Sequence, residues 1–223
     1  MLTIAEELLL LALHDRKGSV TMRASSSLKF GLAGAFISEL ALNERVAAEG
    51  KKLTVINPAP VDDPLLNDVF QEIKNSKKDR KIRVWVEKFG NRMRKRQKTM
   101  SSRLVEKGIL EESHHSFLGI FTWITYPASD NTKEEDIRMR VTEALEETDL
   151  PDERTLILLS LINACDLVKE VFPKKEARAK KKQIKAWTKR NPYGKAVNEA
   201  VDATNAAVYA AAGAAAISSG GSS

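Results

Sequence analysis

The longest apolar stretch of the chain, Leu156 to Val171, constrains its fold most strongly. Three charged residues interrupt it, and no window reaches the about 18 uninterrupted apolar residues that indicate a membrane-spanning helix. A helix that is apolar nearly all round must instead be covered on every side by other parts of the protein. We therefore predict a helix from about Asp152 to Phe172 that runs through the centre of a helical domain.

Local signals predict where other elements begin. Thr3 and Glu6 have the spacing of a capping box at the start of the first helix, and Asp63-Pro64 suits the start of the third. Thr132 to Glu135 repeats the capping-box pattern, which predicts the start of the sixth helix. Val46 to Ile56 has the pattern of a short hairpin.

The composition bounds the class of protein. The chain has 223 residues, 43% of them apolar, which is enough to bury a core. We expect a mainly α fold: a single multi-helix domain over residues 1–217 with a protruding apolar β-hairpin, then a disordered tail over residues 218–223. Cys165 is the only cysteine, which excludes an internal disulfide and favours a reducing, cytoplasmic compartment. Acids precede the first apolar run, where a secretory signal needs positive charge.

The segment from Lys74 to Lys107 carries most of the positive charge. It holds fourteen Lys and Arg against three acids, a net charge of +11, while the whole chain carries +6, so the remainder carries −5. Lys174 to Arg190 is a second basic stretch, with nine basic residues against one acid. Charge this unevenly distributed indicates a surface that binds an anion, such as a membrane or a nucleic acid.

An apolar, aromatic run from Phe117 to Tyr126 follows the basic segment. We place the turn of a β-hairpin at the polar residues Ser113 to Ser116, just before this run. Side chains alternate between the two faces of a strand, so only one face can find the core. We expect some of Phe117, Leu118, Ile120 and Phe121 to be exposed, either inserting in lipid or packing against another copy of the chain. The alternative is that these side chains pack on the helices.

The sequence shows no pattern for catalysis. It has no glycine-rich phosphate loop, and His114 and His115, although close to Glu111 and Glu112, are neighbours whose side chains point apart. We expect no enzyme activity, no metal site and no cofactor.

Several stretches together resemble a known family. They are LTIAEELLLLAL from Leu2 to Leu13 followed by Asp15-Arg16-Lys17-Gly18, GLAGAFISELAL from Gly31 to Leu42, and LVEKGIL from Leu104 to Leu110. With the apolar hairpin and the Leu-rich seventh helix, their order and spacing resemble the Golgi phosphoprotein 3 family from Leu2 to about Ala216. The long polar N-terminal tail of eukaryotic members is absent, so we expect a compact prokaryotic-type member.

The resemblance implies a helical domain that binds phosphatidylinositol 4-phosphate at the membrane surface. The family's phosphate pocket is built from a tryptophan before helix two, an arginine in helix two and two arginines one turn apart in the basic helix. By position, the helix-two arginine falls on Ala33, and the arginine pair falls on Arg94 and Gln97. The tryptophan has no counterpart among residues 22–24. The family's hairpin is thought to insert into the bilayer or to join protomers.

Charged neighbours complete the predicted headgroup site. Arg94 and Lys98 share one face of a helix, and Arg23 or Lys29 could supply charge from the loop before helix two. The candidate headgroup residues are therefore Arg94, Gln97, Lys98, Arg23 and Lys29. The predicted function is that of a peripheral membrane protein, located in the cytoplasm, that binds an anionic membrane lipid.

Two other functions stay open. A winged-helix DNA-binding protein would place the basic helix in the major groove and use residues 108–126 as the wing. The expected tip of that wing has no Lys or Arg for DNA phosphates, so nucleic acid is not favoured. A protein–protein adaptor, or a homo-oligomer joined through the hairpin, is the other alternative.

Overall fold

The computed structural model describes residues 1–118, 120–147, 149–190 and 206–210. The fold is mainly α with two antiparallel hairpins. The helices are α1 (Ile4–Ala12), α2 (Leu28–Leu42), α3 (Pro64–Lys74), α4 (Ile82–Asn91), α5 (Met93–Glu106), α6 (Thr132–Ala144), α7 (Glu153–Ala164), α8 (Val168–Val171) and α9 (Ala177–Arg190). The strands are β1 (Val46–Glu49), β2 (Lys52–Val55), β3 (Ser113–Phe117) and β4 (Phe121–Thr125), and residues 206–210 are helical. The predicted tail over residues 218–223 lies outside the described residues.

The three predicted helix starts are confirmed, but one of the two predicted capping boxes does not form. The Thr3 hydroxyl accepts a hydrogen bond from the Glu6 N–H at 3.2 Å, while the Glu6 carboxylate accepts one from the Thr3 N–H at 3.0 Å. The Asp63 carboxylate accepts a hydrogen bond from the Leu66 N–H at 2.8 Å and so caps α3, with Pro64 in the first turn. At α6 no capping box forms, because the carboxylate of Asp130 accepts the N–H of Thr132 instead.

Helix α2 organises the packing of the domain. It contacts α1, α3, α4, α5, α7 and β1. Small residues permit this close packing: a β-carbon at Gly31 would lie 2.1 Å from the sulfur of Cys165. The larger side chains of Phe36 and Leu40, also on α2, are almost completely buried. Helix α2 therefore holds the loop before it and the basic helices α4 and α5 in fixed positions.

The predicted helix from Asp152 to Phe172 is wrong in its extent, because the structure breaks it between α7 and α8. Asp166 adopts a positive φ of 56° at the break, a conformation that Asp tolerates better than most residues. Its carboxylate lies within 3.6 Å of Lys181 and is half-exposed. The charge of Asp166 is thus paired and partly in water, although the segments on both sides of it are apolar. Burial raises the pKa of the neighbouring Cys165 to about 12, as expected for a buried thiol.

Candidate functional site

Part of the positive charge in Lys74–Lys107 stabilises the fold. Arg96 on α5 is buried, and its guanidinium donates to Asp68 at 2.8 Å and to Glu72, both on α3. Arg103 donates to Asp63 at 2.5 Å. These two arginines are paired with carboxylates of the same domain. The positive charge that is available to a ligand is therefore smaller than the net charge of the segment.

Other cations of α5, and Arg92 just before it, have no such partners. Arg92, Arg94, Lys95 and Lys98 are all exposed, and none of them forms an ion pair with another described residue. Their spacing places Arg94 and Lys98 one helical turn apart on the same side. We call these four residues the α5 outer face. It is a concentrated positive surface on a rigid helix.

A small cleft of about 300 Å³ lies between the start of α2 and the junction of α4 with α5. Lys29, Arg94 and Gln97 line it, which are three of the five predicted headgroup residues. The ammonium of Lys29 lies 4.8 Å from the centre of the Phe30 ring, a contact that favours the cation. The cleft joins two cations and an amide, groups that donate hydrogen bonds to a phosphate.

The other two predicted headgroup residues lie elsewhere. Arg23 is 3.2 Å from a carboxylate oxygen of Glu170 and 3.9 Å from one of Asp166, and it does not line the small cleft. Lys98 lines a larger groove next to the cleft, and Arg94 and Gln97 border both. The sequence alone could not reveal the pairing of Arg23, because its partners follow it by more than 140 residues.

The larger groove, of about 1070 Å³, runs between the α5 outer face and the β3–β4 hairpin. The hairpin contributes side chains that the sequence analysis did not include in a site. Those on the hairpin side are His114, His115, Ser116, Thr122, Trp123, Ile124 and Tyr126. Once the strand register is known, the alternation of side chains explains why residues 114, 116, 122 and 124 share one face.

The hairpin turn lies further along the chain than predicted. Ser113–Ser116 belongs to β3, and the chain reverses between Phe117 and Phe121, where the Ile120 N–H donates to the Phe117 carbonyl at 3.2 Å. The base of the hairpin sets this register through the hydrogen bond from Glu111 N–H to the Pro127 carbonyl. The tip is therefore apolar where a polar tip was expected.

The apolar residues of the tip are exposed, as the sequence predicted for some of them. Phe117 is 59% exposed, Leu118 75%, Ile120 77% and Phe121 62%. The alternative in which these side chains pack on the helices is thereby wrong. Four large apolar side chains in water at one protruding tip indicate contact with a bilayer or another protein surface.

Within the described residues, no group of three or more His, Cys, Asp or Glu side chains is placed to hold a metal ion. His114 lies 3.0 Å from a carboxylate oxygen of Glu112, whereas the His115 ring contacts the hydroxyl of Thr125 at 2.8 Å. The two histidines thus have separate partners. None of the helices in the described part is long and apolar enough to cross a bilayer.

Comparison with known proteins decides the family. The family model for Golgi phosphoprotein 3 (GPP34) matches residues 4–204. The chain belongs to the Golgi phosphoprotein 3 family. It is also similar to the vacuolar protein sorting-associated protein 74 of Schizosaccharomyces pombe, with 25% identity over 165 residues that cover 65% of this chain. The match covers 48% of that relative, so the chain spans about half the length of the curated relative.

The family's expected phosphate pocket is only partly matched in this Golgi phosphoprotein 3 family member. Arg94 falls at the first position of the arginine pair and lines the small cleft, where Gln97 takes the second position. Ala33, at the position of the helix-two arginine, is completely buried. Lys29, one turn before it on α2, supplies the cation that borders the cleft. Lys29 is thus the α2 cation at the small cleft.

Proposed function

We propose that this protein is a non-enzymatic peripheral membrane protein that binds anionic phospholipids. The α5 outer face binds the headgroups, and the apolar tip of the β3–β4 hairpin inserts among the lipid chains. Two observations carry the proposal: the groove between the α5 outer face and the strands of the hairpin has unpaired cations on one wall, and the tip of the same hairpin exposes large apolar side chains.

The energies of such a contact are sufficient for binding. Each Lys or Arg close to an anionic leaflet contributes about 1 kcal/mol, and the α5 outer face has four. Each large apolar side chain that leaves water contributes about 1.5–3 kcal/mol. Phe117, Leu118, Ile120 and Phe121 are exposed enough in the free protein to supply that term.

The small cleft is the proposed site for the headgroup phosphate. Lys29 and Arg94 provide charge, and Gln97 provides a neutral donor. Phosphatidylinositol 4-phosphate or a similar lipid is the proposed ligand, with modest selectivity, since Gln97 and Ala33 stand where the family's expected pocket has arginines. The prokaryotic-type origin stays a prediction.

The cytoplasmic face of a membrane is the proposed location, because anionic lipids concentrate in that leaflet. Two copies of the chain could also cover each other's hairpin tips away from the membrane. A DNA-binding function is less well supported, because the tip of the would-be wing carries apolar side chains in place of cations.

Vesicle flotation beside a DNA gel shift, at the same salt concentration, tests the proposal. We expect the protein to float with vesicles of phosphatidylcholine and phosphatidylserine, to bind more tightly when phosphatidylinositol 4-phosphate is added, and to leave DNA unshifted. Equal binding to pure phosphatidylcholine would remove the electrostatic claim. Tight DNA binding without flotation would favour the winged-helix alternative.

A further inference from the structure

The hairpin has a second face, whose middle residues His115 and Trp123 line a further cleft as well as the edge of the α5 groove. Its pairs are Ser113 with Thr125, His115 with Trp123, and Phe117 with Phe121. The His115 and Trp123 rings stack with centres 5.4 Å apart and planes 16° apart. This face is therefore aromatic from its middle to its tip, whereas the face towards α5 carries polar residues such as Ser116 and Thr122.

A cleft of about 390 Å³ separates this aromatic face from the turn between α1 and α2. Arg16, Lys17 and Ser19 line one side, and His115 and Trp123 line the other. Both cations are exposed, and neither forms an ion pair with another described residue. The cleft thus has a cationic wall and an aromatic wall, and it is separate from the small cleft near Arg94.

The turn that carries these cations is fixed to the base of the hairpin. The Tyr126 N–H donates to the Gly18 carbonyl at 3.0 Å, and the Ala128 N–H donates to the Asp15 carbonyl at 2.9 Å. Gly18 has a φ of +60°, and a β-carbon there would lie 2.0 Å from the backbone nitrogen of Pro127. Only glycine allows this close approach. Arg16 and Lys17 are therefore held beside the hairpin.

The carboxylate of Asp15, in the same turn, forms no ion pair with Arg16 or Lys17 in the described part of the chain. With two cations and one acid, the turn keeps a net positive charge. The exposed side chains of Arg16 and Lys17 can therefore meet an anion.

The distance of each residue from the hairpin tip defines the part of the bilayer that the residue contacts when the tip is inserted. The His115–Trp123 pair lies two residues from the Phe117–Phe121 pair, which is about 7 Å at about 3.3 Å per residue. Apolar elements at a bilayer surface insert about 5–10 Å below the headgroups. With the tip inserted to that depth, Trp123 lies at the headgroup level, where tryptophan is enriched, and Arg16 and Lys17 lie at the phosphates.

We propose that Arg16, Lys17 and the aromatic face of the hairpin form a second phospholipid-headgroup site, which binds a lipid beside the inserted tip. This rests on the proposed membrane function. The site takes a phosphate group of any anionic phospholipid, because it has two cations and no built-in shape for one sugar. Headgroups at both faces of the hairpin would hold it upright in the bilayer.

Flotation of three double variants with vesicles of phosphatidylcholine and phosphatidylserine tests the site. Arg16→Ser with Lys17→Ser should weaken binding by about 30-fold, the equivalent of two cations at about 1 kcal/mol each. Lys174→Ser with Lys175→Ser makes the same charge change before α9, which packs on α7 and α8, and should cause a clearly smaller loss. Arg16→Lys with Lys17→Arg should bind like the original protein.

The outcomes separate the second site from the proposed function. Equal losses in both serine variants, or no loss in the Arg16 and Lys17 variant, would overturn the second site while the membrane function stands. Failure of the original protein to float would overturn both. Circular dichroism of each variant shows that the helices are retained, so that a loss of binding reports on charge.

Discussion

Arg96 and Glu72 form an ion pair between α5 and α3, and Arg96 is only 8% exposed. Arg94, two residues earlier on the same helix, faces solvent and lines the small cleft. Neighbouring arginines of one basic helix therefore have different roles. One fastens α5 to the domain, and the other is available for an anion.

This difference predicts that replacing Arg96 lowers the stability of the fold much more than replacing Arg94. Arg96→Ala leaves Glu72 and Asp68 without their buried partner and should lower the free energy of unfolding by about 2 kcal/mol. Arg94→Ala removes an exposed, unpaired side chain and should change it by less than about 0.5 kcal/mol. Urea unfolding followed by circular dichroism measures both. The account of α5 is wrong if Arg94→Ala is the more destabilising change.

Lipid binding should depend more on Arg94 than on an exposed arginine of α9. Arg94→Ala should reduce binding to vesicles that contain phosphatidylinositol 4-phosphate several-fold more than Arg178→Ala, because Arg94 lines the small cleft and Arg178 does not. Flotation over a range of lipid concentrations gives the two affinities. Comparable losses would mean that a diffuse field, without a defined pocket, holds the lipid.

The hairpin tip should be dispensable for folding. Leu118→Ser with Ile120→Ser changes two side chains that are already in water, so helical circular dichroism should stay intact. Vesicle binding should fall, or light scattering should show a shift from oligomer to monomer. Leu158→Ser is the control: Leu158 is completely buried, and its loss should cost about 3 kcal/mol or more. Unfolding of the tip variant would show that the tip is structural.

Asp63 predicts a pH dependence of stability. Burial raises its pKa, but hydrogen bonds from Arg103 and from the Leu66 N–H outweigh this, so the net pKa lies below its ordinary 3.8. A depressed carboxyl pKa stabilises the fold above the ordinary value, and that contribution is lost as the pH falls through the lowered pKa. Asp63→Asn keeps a capping oxygen but loses the ionic contact with Arg103.

We therefore expect Asp63→Asn to cost about 1–2 kcal/mol at neutral pH and progressively less below the ordinary pKa. Urea unfolding of both proteins at a series of pH values measures the difference. Asp62→Asn is a suitable comparison, because Asp62 is the neighbouring carboxylate, is exposed, and forms no hydrogen bond or ion pair within the described chain. A difference for Asp63→Asn that grows as the pH falls would contradict the assignment.

Signals within one turn of a helix were read correctly from the sequence. The Thr3–Glu6 capping box and the Asp63-Pro64 start depend on neighbouring residues only. The same pattern failed at Thr132, because Asp130 competes for the same backbone N–H. Local pattern therefore predicts a cap only where no nearby side chain offers a better acceptor.

Features set by distant contacts were not predictable in the same way. The break after α7 lies where Asp166 meets Lys181 and Arg23, and the hairpin register depends on contacts at its base. The cleft beside Arg16 forms only because Gly18 packs against Pro127, more than 100 residues later. The sequence indicated the charge and the apolar hairpin, but their arrangement required the tertiary structure.

The emission spectrum of Trp123 during vesicle titration tests the membrane account most directly. The chain has three tryptophans, and Trp85 and Trp187 are buried, so Trp123 on the hairpin is the one positioned to report on lipid contact. We predict a blue shift with vesicles of phosphatidylcholine and phosphatidylserine that is reversed by salt and absent in Trp123→Phe. An unchanged spectrum, or the same shift with phosphatidylcholine alone, would contradict binding through cations and an inserted hairpin.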